Sequence, residues 1–297
     1  MSSYHTSVLL HEAVDALCIE SGKKYIDGTL GGGGHTFEIL KKGGIVLGID
    51  QDQDALNEVR TQLKVQNAKF KIDHELLLAK GNFKDIDQIA KDTKWSSVSG
   101  VLLDIGISSH HVDAGERGFS FIHNAPLDMR MDKSLQVTAA DLVNGLSKKE
   151  LTELFFNLGE ERYSRQIAEW IIAHRAIEPI KTTVELADIA RKSVPFQKKG
   201  VHPATKIFQA LRIAVNDELH VLIEALPKAV DLLAPGGRLV VISFHSLEDR
   251  IVKRSFLQMA QEGKGVIVTK KPIIPTDEEI EHNPRSRSSK MRVFEKI

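Results

Sequence analysis

The sequence predicts an α/β fold with a Rossmann-like sheet that is interrupted by an all-helical domain. Strand-like and helix-like segments alternate through about the first 110 residues, a pattern typical of parallel sheets covered by helices. The alternation then stops at about residue 112 and resumes at about residue 203. The predicted domains are therefore a discontinuous α/β domain over 1–111 and 203–297, and a helical insertion over 112–202.

The strands predicted before the insertion are short and apolar, as expected where both faces of a sheet are covered. They span 24–27, 45–49 and 100–104, and helices are predicted over 35–42 and 54–65. After the insertion, 204–233 carries two helical segments with a break near Val215 and Asn216. A turn over 234–237, strands over 238–243, 266–269 and 291–294, and a long loop over 275–290 complete the prediction.

The insertion is predicted to be helical because it contains helix-start signals and helical apolar spacing. Ser147 with Glu150, and Thr182 with Glu185, fit the capping box, in which two side chains satisfy the first free N–H groups. Apolar residues then recur three and four positions apart, at Leu151, Leu154, Phe155 and Leu158.

Composition narrows the class of protein but not its partner. Hydrophobic residues make up 42% of the 297 residues and charged residues 27%, which is typical of globular proteins. No apolar run approaches a membrane span, the N-terminus lacks the pattern of a signal peptide, and Cys18 is the single cysteine, so we expect a cytoplasmic protein. Basic and acidic residues both number 40, so any nucleic-acid binding must come from local basic patches.

A glycine-rich turn carries the first functional signal. Four glycines at 31–34 follow a predicted strand and precede a predicted helix, where exposed N–H groups favour polar or negative ligand groups. Asp50 ends the next strand, 19 residues after Gly31, where a carboxylate can accept hydrogen bonds from both hydroxyls of a ribose. Asp104 ends a further strand, at the edge where open α/β sheets bind ligands.

The spacing of the turn separates two cofactor classes. A dinucleotide site needs a third glycine where this chain has Thr36 or Phe37, which disfavours a nicotinamide oxidoreductase. Asp27 with Gly31 and Gly33 instead fits the acidic-x-x-x-Gly-x-Gly form found in S-adenosylmethionine enzymes. Phe83 could stack on an adenine, although a core position explains it equally well. A merely structural tight turn stays open as an alternative.

Several motifs together resemble the bacterial methyltransferase H family, which methylates cytosine N4 in 16S ribosomal RNA. They are HTSVLL at 5–10, DGTLGGGGH at 27–35, DIGISS at 104–109, RGFSF at 117–121, PLDMRMD at 126–132, HPAT at 202–205, FQALR at 208–212, ISFHSLEDR at 242–250 and NPRSRS at 283–288. The resemblance covers essentially the whole chain. It implies a class I methyltransferase sheet and methylation of one cytidine in the decoding region.

The resemblance also assigns residues to the cofactor. It implies that S-adenosylmethionine contacts Gly33, Gly34, His35, Asp50, Phe83 and Asp104. The family has a glutamine at a further contact, where this sequence has His111. A neutral imidazole can still donate or accept one hydrogen bond there, but its charge depends on pH.

The proposed reaction needs an acceptor for the amine protons and a surface for RNA. We assign the acceptor role to the segment after the 100–104 strand, with Asp104 positioning the cofactor or the amine and Ser108 and Ser109 assisting. The target base must leave its stack, which calls for phosphate contacts and aromatic surfaces. The residues assigned to RNA are Arg117, Phe119, Arg130, Arg285 and Arg287, with Phe121, Lys290 and Arg292 nearby, although a solvated charged face explains such clusters equally well.

Other interpretations remain at this stage. The histidines lack paired metal-binding spacing, so no metal is expected, and no Gly-x-Ser-x-Gly motif supports a hydrolase. A methyltransferase acting on DNA or protein, and a non-catalytic RNA-binding or assembly factor, share the glycine turn. The expected partner is 16S rRNA or the small ribosomal subunit, with no membrane. A homodimer is compatible with the sequence, which does not fix the oligomeric state.

Overall fold

A computed structural model of the chain describes residues 7–70, 76–106, 117–194 and 202–297, with side-chain surroundings given for these except 65–70. The chain divides into two compact units, Met1–Ser108 with Leu219–Ile297, and Ser109–Glu218. The first is an α/β unit and the second is helical. The N-terminal boundary lies three residues from the predicted one, whereas the helix Ala204–Asn216 belongs to the helical unit and not, as predicted, to the α/β unit.

The α/β unit is built on one seven-stranded sheet. The strands are β1 (Lys24–Asp27), β2 (Ile45–Asp50), β3 (Leu76–Lys80), β4 (Val98–Asp104), β5 (Leu233–Ser243), β6 (Gly265–Ile267) and β7 (Lys290–Lys296). Their order is β3-β2-β1-β4-β5-β7-β6. The first five are parallel, and β7 is antiparallel to both β5 and β6. The carboxyl ends of β1, β2 and β4 therefore meet at one edge, where Asp27, Asp50 and Asp104 lie.

Helices cover both faces of this sheet, which explains why its central strands are apolar throughout. They are α1 (Leu10–Ala16), α2 (Gly34–Lys41), α3 (Gln53–Phe70), α4 (Ile86–Asp92), α10 (Glu218–Leu232), α11 (Ser246–Gln261) and α12 (Asp277–His282). One core contains side chains of α4, α10 and α11, and the other contains those of α1, α2 and α3. Neighbouring residues of a strand alternate between them, so Leu103 joins the first core and Leu102 the second.

The helical unit contains five helices in its described part. They are α5 (Ala139–Gly145), α6 (Lys148–Gly159), α7 (Ser164–Arg175), α8 (Thr183–Ser193) and α9 (Ala204–Asn216). The capping boxes predicted at Ser147 and Thr182 are both formed, and Leu151 and Phe155 are fully buried. The α9 helix packs against α5, α6 and α8, because its apolar face is buried among them. This packing is why α9 belongs to the helical unit.

Most predicted elements are confirmed, but three kinds of element differ. The short elements β3, α1 and α4 were not predicted. The predicted long loop over 275–290 contains α12 and a 3-10 helix over Pro284–Ser288. The predicted turn over 234–237 lies inside β5, where the pairing with β4 shifts register. Within the described ranges, no helix combines the length and apolar character needed to cross a membrane.

Candidate active site

The glycine turn is tied to the end of β2 by the carboxylate of Asp50. The N–H of Gly31 donates to Asp50 Oδ2 over 2.8 Å, and the N–H of Asp52 donates to Oδ1 over 2.8 Å. Gly31 has a φ of +49°, and a Cβ there would meet only the carbonyl oxygen of Thr29, at 3.9 Å. The turn therefore has a left-handed residue that faces open space, and the Asp50 carboxylate joins it to the end of β2.

The N-terminal segment lies directly on the start of α2. Gly33 is the residue before α2, and Gly34 is the first residue of that helix. A Cβ at Gly34 would overlap the hydroxyl of Ser7, so glycine permits this close approach. The carbonyl oxygen of Val8 lies 3.1 Å from Nε2 of His35, one residue further along α2.

Asp27 is a buried acid at the end of β1. It accepts hydrogen bonds from the Thr36 hydroxyl at 2.7 Å and from the N–H of Thr29 at 3.2 Å. Burial raises the pKa of Asp27 to about 6 in spite of these two donors, and the nearby charge of Asp50 adds to the rise. Asp27 therefore holds the backbone of Thr29 and the side chain of Thr36 in place on either side of the four glycines.

Asp104 lies at the carboxyl end of β4. Its N–H donates to the Thr29 hydroxyl over 2.6 Å, and its Oδ2 lies 3.8 Å from Nδ1 of His35. Its Oδ1 is buried and has no hydrogen-bond partner among the described residues. Burial raises the pKa of Asp104 well above its usual range, and the charges of Asp27 and Glu248 raise it further. A buried acceptor without a described partner, at the carboxyl edge of a parallel sheet, fits a group that binds a hydrogen-bond donor.

Phe83 begins a short 3-10 helix after β3. It is partly buried and packs against the α/β core, so the structure gives it the packing role that the sequence left open beside adenine stacking. Asn82 holds this segment, since its Oδ1 accepts from the N–H of Lys84 and its Nδ2 donates to Gln51 over 3.0 Å. The Phe83 segment is thereby fastened to the residue that follows Asp50.

These groups fit the adenosine part of a methyl donor. Asp50 offers acceptors suited to a diol, the turn has an open position at Gly31, and Asp104 offers a second acceptor in a less polar setting. The match with known families decides the assignment: the model of the MraW methylase family matches residues 2–297. The chain belongs to the MraW methylase family. S-adenosylmethionine is the methyl donor of this methylase, and the α/β unit is its class I methyltransferase sheet.

Relatives of this MraW-family methylase match it over nearly its whole length. It is 44% identical over 314 residues to ribosomal RNA small subunit methyltransferase H of Carboxydothermus hydrogenoformans, covering 100% of this chain and 99% of the relative. It is 49% identical over 294 residues to the protein of the same name from Deinococcus radiodurans, covering 98% and 89%. A solved rRNA methylase from Streptococcus thermophilus aligns over 98% of both chains, with 10% identity and a TM-score of 0.47.

The structure brings Asp50, Asp104, Gly33, Gly34 and His35 together around the turn. Three other predicted site residues, Ser108, Ser109 and His111, lie outside the described residues. Their assignments stay predictions.

Arg117 and Arg130 hold a loop of this methylase together. Nη2 of Arg117 donates to the carbonyls of Arg130 at 2.9 Å and Met131 at 2.7 Å. Arg130 forms a two-pronged pair with Asp128, at 2.7 and 2.8 Å, and donates through Nη1 to the carbonyls of Lys133 and Leu135. The guanidinium groups of both arginines, which were predicted to bind RNA, are therefore engaged inside the loop; the RNA contact stays a prediction.

Phe119 is 8% exposed and Phe121 packs edge-on against Phe208. In this arrangement their rings serve packing within the helical unit. A base stacked on Phe119 would need its ring to move out, so a direct RNA contact by Phe119 stays a prediction without support from its burial.

The C-terminal basic residues divide into two pairs. Arg285 and Arg287 are exposed on the Pro284–Ser288 helix. Arg292 is buried and donates from Nε to Asp249 over 2.6 Å, and Nζ of Lys290 lies 3.5 Å from the same carboxylate. Asp249 thus pairs with side chains of β7. Only the first pair is presented to solvent as the RNA assignment requires.

Four residues of the site and its supports were missed by the sequence analysis. Thr29 and Thr36 connect Asp27 with the turn, Glu248 is a buried acid close enough to affect Asp104, and Asn216 accepts from Met131 and donates to Met129 in the arginine-held loop. Thr29 and Thr36 lie in or beside the DGTLGGGGH motif, and Glu248 lies in ISFHSLEDR, so motif membership was a usable signal. Asn216 stands outside every motif.

Proposed function

We propose that this methylase transfers a methyl group to N4 of one specific cytidine in the decoding region of 16S ribosomal RNA. Two curated relatives that match nearly its whole length are named ribosomal RNA small subunit methyltransferase H, which supports a ribosomal RNA substrate. The observation that carries the chemistry is the buried Oδ1 of Asp104, which has no hydrogen-bond partner in the part of the chain that the structure describes. Such a substrate also places the enzyme in the cytoplasm, with 16S rRNA or the small subunit as its partner.

Several side chains would hold the methyl donor. Asp50 would accept from the ribose hydroxyls, the backbone of Gly33, Gly34 and His35 would line the polar part, and the edge of Phe83 would border the adenine. His111 would supply one further contact. The bound donor supplies a sulfonium-activated methyl group, which is a strong electrophile.

The exocyclic amine of cytosine is a weak nucleophile because its lone pair is delocalised into the ring. Asp104 would accept a hydrogen bond from this amine through Oδ1, which holds the lone pair in line and receives charge as it develops. Ser108 and Ser109 would assist from the following segment. The surrounding burial lowers the local dielectric, so one well-placed acceptor contributes more than it would in water.

Mass mapping of 16S rRNA from cells that lack this protein tests the proposal. We expect one cytidine in the decoding region to lose a methyl group and to regain it when the wild-type gene returns. Asp104→Asn should fail to restore it, whereas Asp54→Asn, which changes an exposed acid at the start of α3, should restore it fully. An unchanged methylation map, or transfer of label from S-adenosylmethionine into DNA or protein instead, would reject the proposal.

A further inference from the structure

Buried polar atoms without partners are concentrated at the carboxyl ends of β4 and β5. Four buried side-chain atoms lack a hydrogen-bond partner within the described residues, and three of them lie at or just after these two strand ends. They are Oδ1 of Asp104, Nε2 of His245 and Oε1 of Glu248. A Cβ on Gly106 would lie 3.1 Å from the ring of Phe244, so the segment after β5 lies beside the end of β4. Because unpartnered buried groups cost free energy, their concentration at one edge indicates a polar ligand.

Glu248 is held in place by one of its two carboxyl oxygens. Its Oε2 accepts from the N–H of Phe244 over 2.8 Å and from the N–H of His245 over 3.2 Å. Glu248 is the third residue of α11, where such a bond completes a capping box. These two bonds fix the carboxyl group, and they leave Oε1 as a buried acceptor whose partner is not among the residues that the structure describes.

His245 presents a donor beside that acceptor. Its Nδ1 faces the N–H of Glu248 at 3.4 Å, so Nδ1 is the bare nitrogen and the neutral ring carries its hydrogen on Nε2. Nε2 lies 3.1 Å from Oε1 of Glu248, but the two atoms are not aligned for a hydrogen bond, and their side chains are only 9% and 1% exposed. A metal ion would need a bare Nε2, so this tautomer favours a ligand with a hydrogen-bond acceptor.

A donor and an acceptor side by side match the amine edge of cytosine. That edge presents N3 as an acceptor next to the N4 amine as a donor, and enzymes that act on an unstacked base recognise it through this edge. We propose that His245 and Glu248 recognise the target cytosine, with Nε2–H donating to N3 and Oε1 accepting one hydrogen of N4. This inference rests on the proposed function, in which Asp104 accepts the other hydrogen of the same amine.

The same pair excludes uracil. Uracil presents N3–H and O4, so a donor would face the Nε2–H of His245 and an acceptor would face Oε1 of Glu248. A site built to form hydrogen bonds rejects a ligand that leaves its buried groups unpaired. His245 and Glu248 therefore determine which base enters the site.

The test is a set of double-mutant cycles between these side chains and single atoms of the base. A decoding-region 16S rRNA fragment carries cytidine at the target position, or 3-deazacytidine, which lacks N3, or the pyrimidin-2-one riboside, which lacks the N4 amine. Each fragment is titrated into the full chain with S-adenosylhomocysteine. His245→Asn keeps a capping oxygen and loses the Nε2 donor. Glu248→Gln keeps the capping box and replaces one carboxyl oxygen by an amide NH₂, which is a donor.

In the wild-type protein, each analogue should bind roughly 5–10-fold more weakly than cytidine. The penalty for 3-deazacytidine should disappear in His245→Asn and persist in Glu248→Gln. The penalty for the pyrimidin-2-one should persist in His245→Asn and shrink in Glu248→Gln, where the contact with Asp104 remains. Glu262→Gln, which changes an exposed acid at the other end of α11, should alter neither penalty.

Penalties that are absent in the wild-type protein, or equal in the wild-type protein and both variants, would overturn the inference. So would Zn²⁺ binding in calorimetry that His245→Asn abolishes, because it would make the pair a metal site. Methylation of the cytidine fragment is measured in parallel. If the wild-type protein does not methylate it, the proposed function fails and the inference fails with it. Methylation with unchanged penalties overturns the inference alone, so the two failures are distinguishable.

Discussion

The site concentrates negative charge where water is scarce. Asp27 and Glu248 are each 1% exposed, and both act on Asp104, whose Oδ1 lacks a described partner. Burying an acid costs free energy unless donors compensate or the group keeps its proton. The α/β unit therefore carries a stability cost at the strand ends, of the kind that functional sites impose on their folds.

Asp27 makes this cost measurable through pH. Its pKa is raised from 3.8 to about 6, so the folded chain keeps the proton to higher pH than the unfolded chain does. The associated stability is present at low pH and is lost as pH rises through about 4 to 6. We expect Asp27→Asn, which stays neutral, to gain about 3 kcal/mol relative to wild type between about pH 4 and pH 7, measured as the free energy of unfolding in urea.

Asp54→Asn is the matched control, because Asp54 is exposed. Its difference from wild type should stay flat over the same range. A flat difference for Asp27→Asn as well would mean that Asp27 ionises in the folded protein as it does in the unfolded chain.

Substitution of Asp50 tests whether this carboxylate binds the ribose of the cofactor. Its oxygens already accept from Gly31 and Asp52, which orients the carboxylate before any ligand arrives. A hydrogen bond to a charged group contributes about 1.5–3 kcal/mol, so Asp50→Asn should weaken S-adenosylmethionine binding by roughly 10–100-fold in calorimetry. Circular dichroism should show an unchanged fold. Wild-type affinity in this variant would mean that the ribose does not bind at Asp50.

At this scale, position along a strand predicted which side chains lie together better than charge predicted which side chains face solvent. Asp27, Asp50 and Asp104 were recognised because acids at the ends of parallel strands meet at one edge of the sheet. Arg117 and Arg130 were assigned to RNA from their charge and from their place in motifs at the start of the insertion. A sequence does not reveal that a guanidinium group will bind carbonyls of its own loop, since those partners are set by backbone folding.

Among the elements, the N-terminal segment and α12 are joined by a hydrogen bond that the sequence does not predict. Leu9 is fully buried in a left-handed conformation, and its N–H points to Glu279, 270 residues away. The region of α12 was predicted to be a loop because it is short and polar. Its Thr276 cap and the contact of Glu279 with Leu9 show why a helix forms there.

Removal of the Glu279 carboxylate should loosen the segment that orients His35. Glu279→Ala leaves the N–H of Leu9 without its acceptor, and we expect a loss of about 1–3 kcal/mol of local stability. Hydrogen exchange should accelerate over residues 7–16. Glu279→Gln keeps an acceptor oxygen and should restore most of the protection.

Glu281→Ala is the control on the same helix, because Glu281 is exposed and its loss should leave exchange unchanged. Equal exchange in Glu279→Ala and wild type would show that the Leu9 contact contributes no stability. Acceleration spread over the whole α/β unit would instead indicate general destabilisation.

The elements that the sequence predicted share strong local signals. The central strands are apolar on both faces, and α6 and α8 start with capping boxes, so pattern and structure agree. The strand β3 was missed because it contains no β-branched residue and lies at the edge of the sheet, where it is half exposed. The helix α9 was predicted but grouped wrongly, because its partners are determined by tertiary packing.

For the whole molecule, the balance of charge makes RNA binding a local property. Basic and acidic residues are equal in number, so no overall field attracts a polyanion. Of the arginines assigned to RNA, Arg285 and Arg287 are exposed, whereas Arg117 and Arg130 bind their own loop. Phosphate contacts are therefore expected from the exposed pair.

A double variant tests whether Arg285 and Arg287 contact RNA phosphates or stabilise the fold. Replacing both Arg285 and Arg287 by Ala should reduce the slope of log affinity against log salt by about 1.5 for a decoding-region 16S rRNA fragment, because each lost phosphate contact releases one counterion fewer. The thermal midpoint should hardly move, since both side chains are exposed. Replacing Lys253 and Arg254 by Ala removes the same charge from the exposed side of α11 and controls for net charge. Equal slopes in the two double variants would mean that net charge, and not this 3-10 helix, governs RNA binding.

Arg130→Ala should behave oppositely. It should lower the thermal midpoint, because the pair with Asp128 is lost, while the slope of log affinity against log salt changes little.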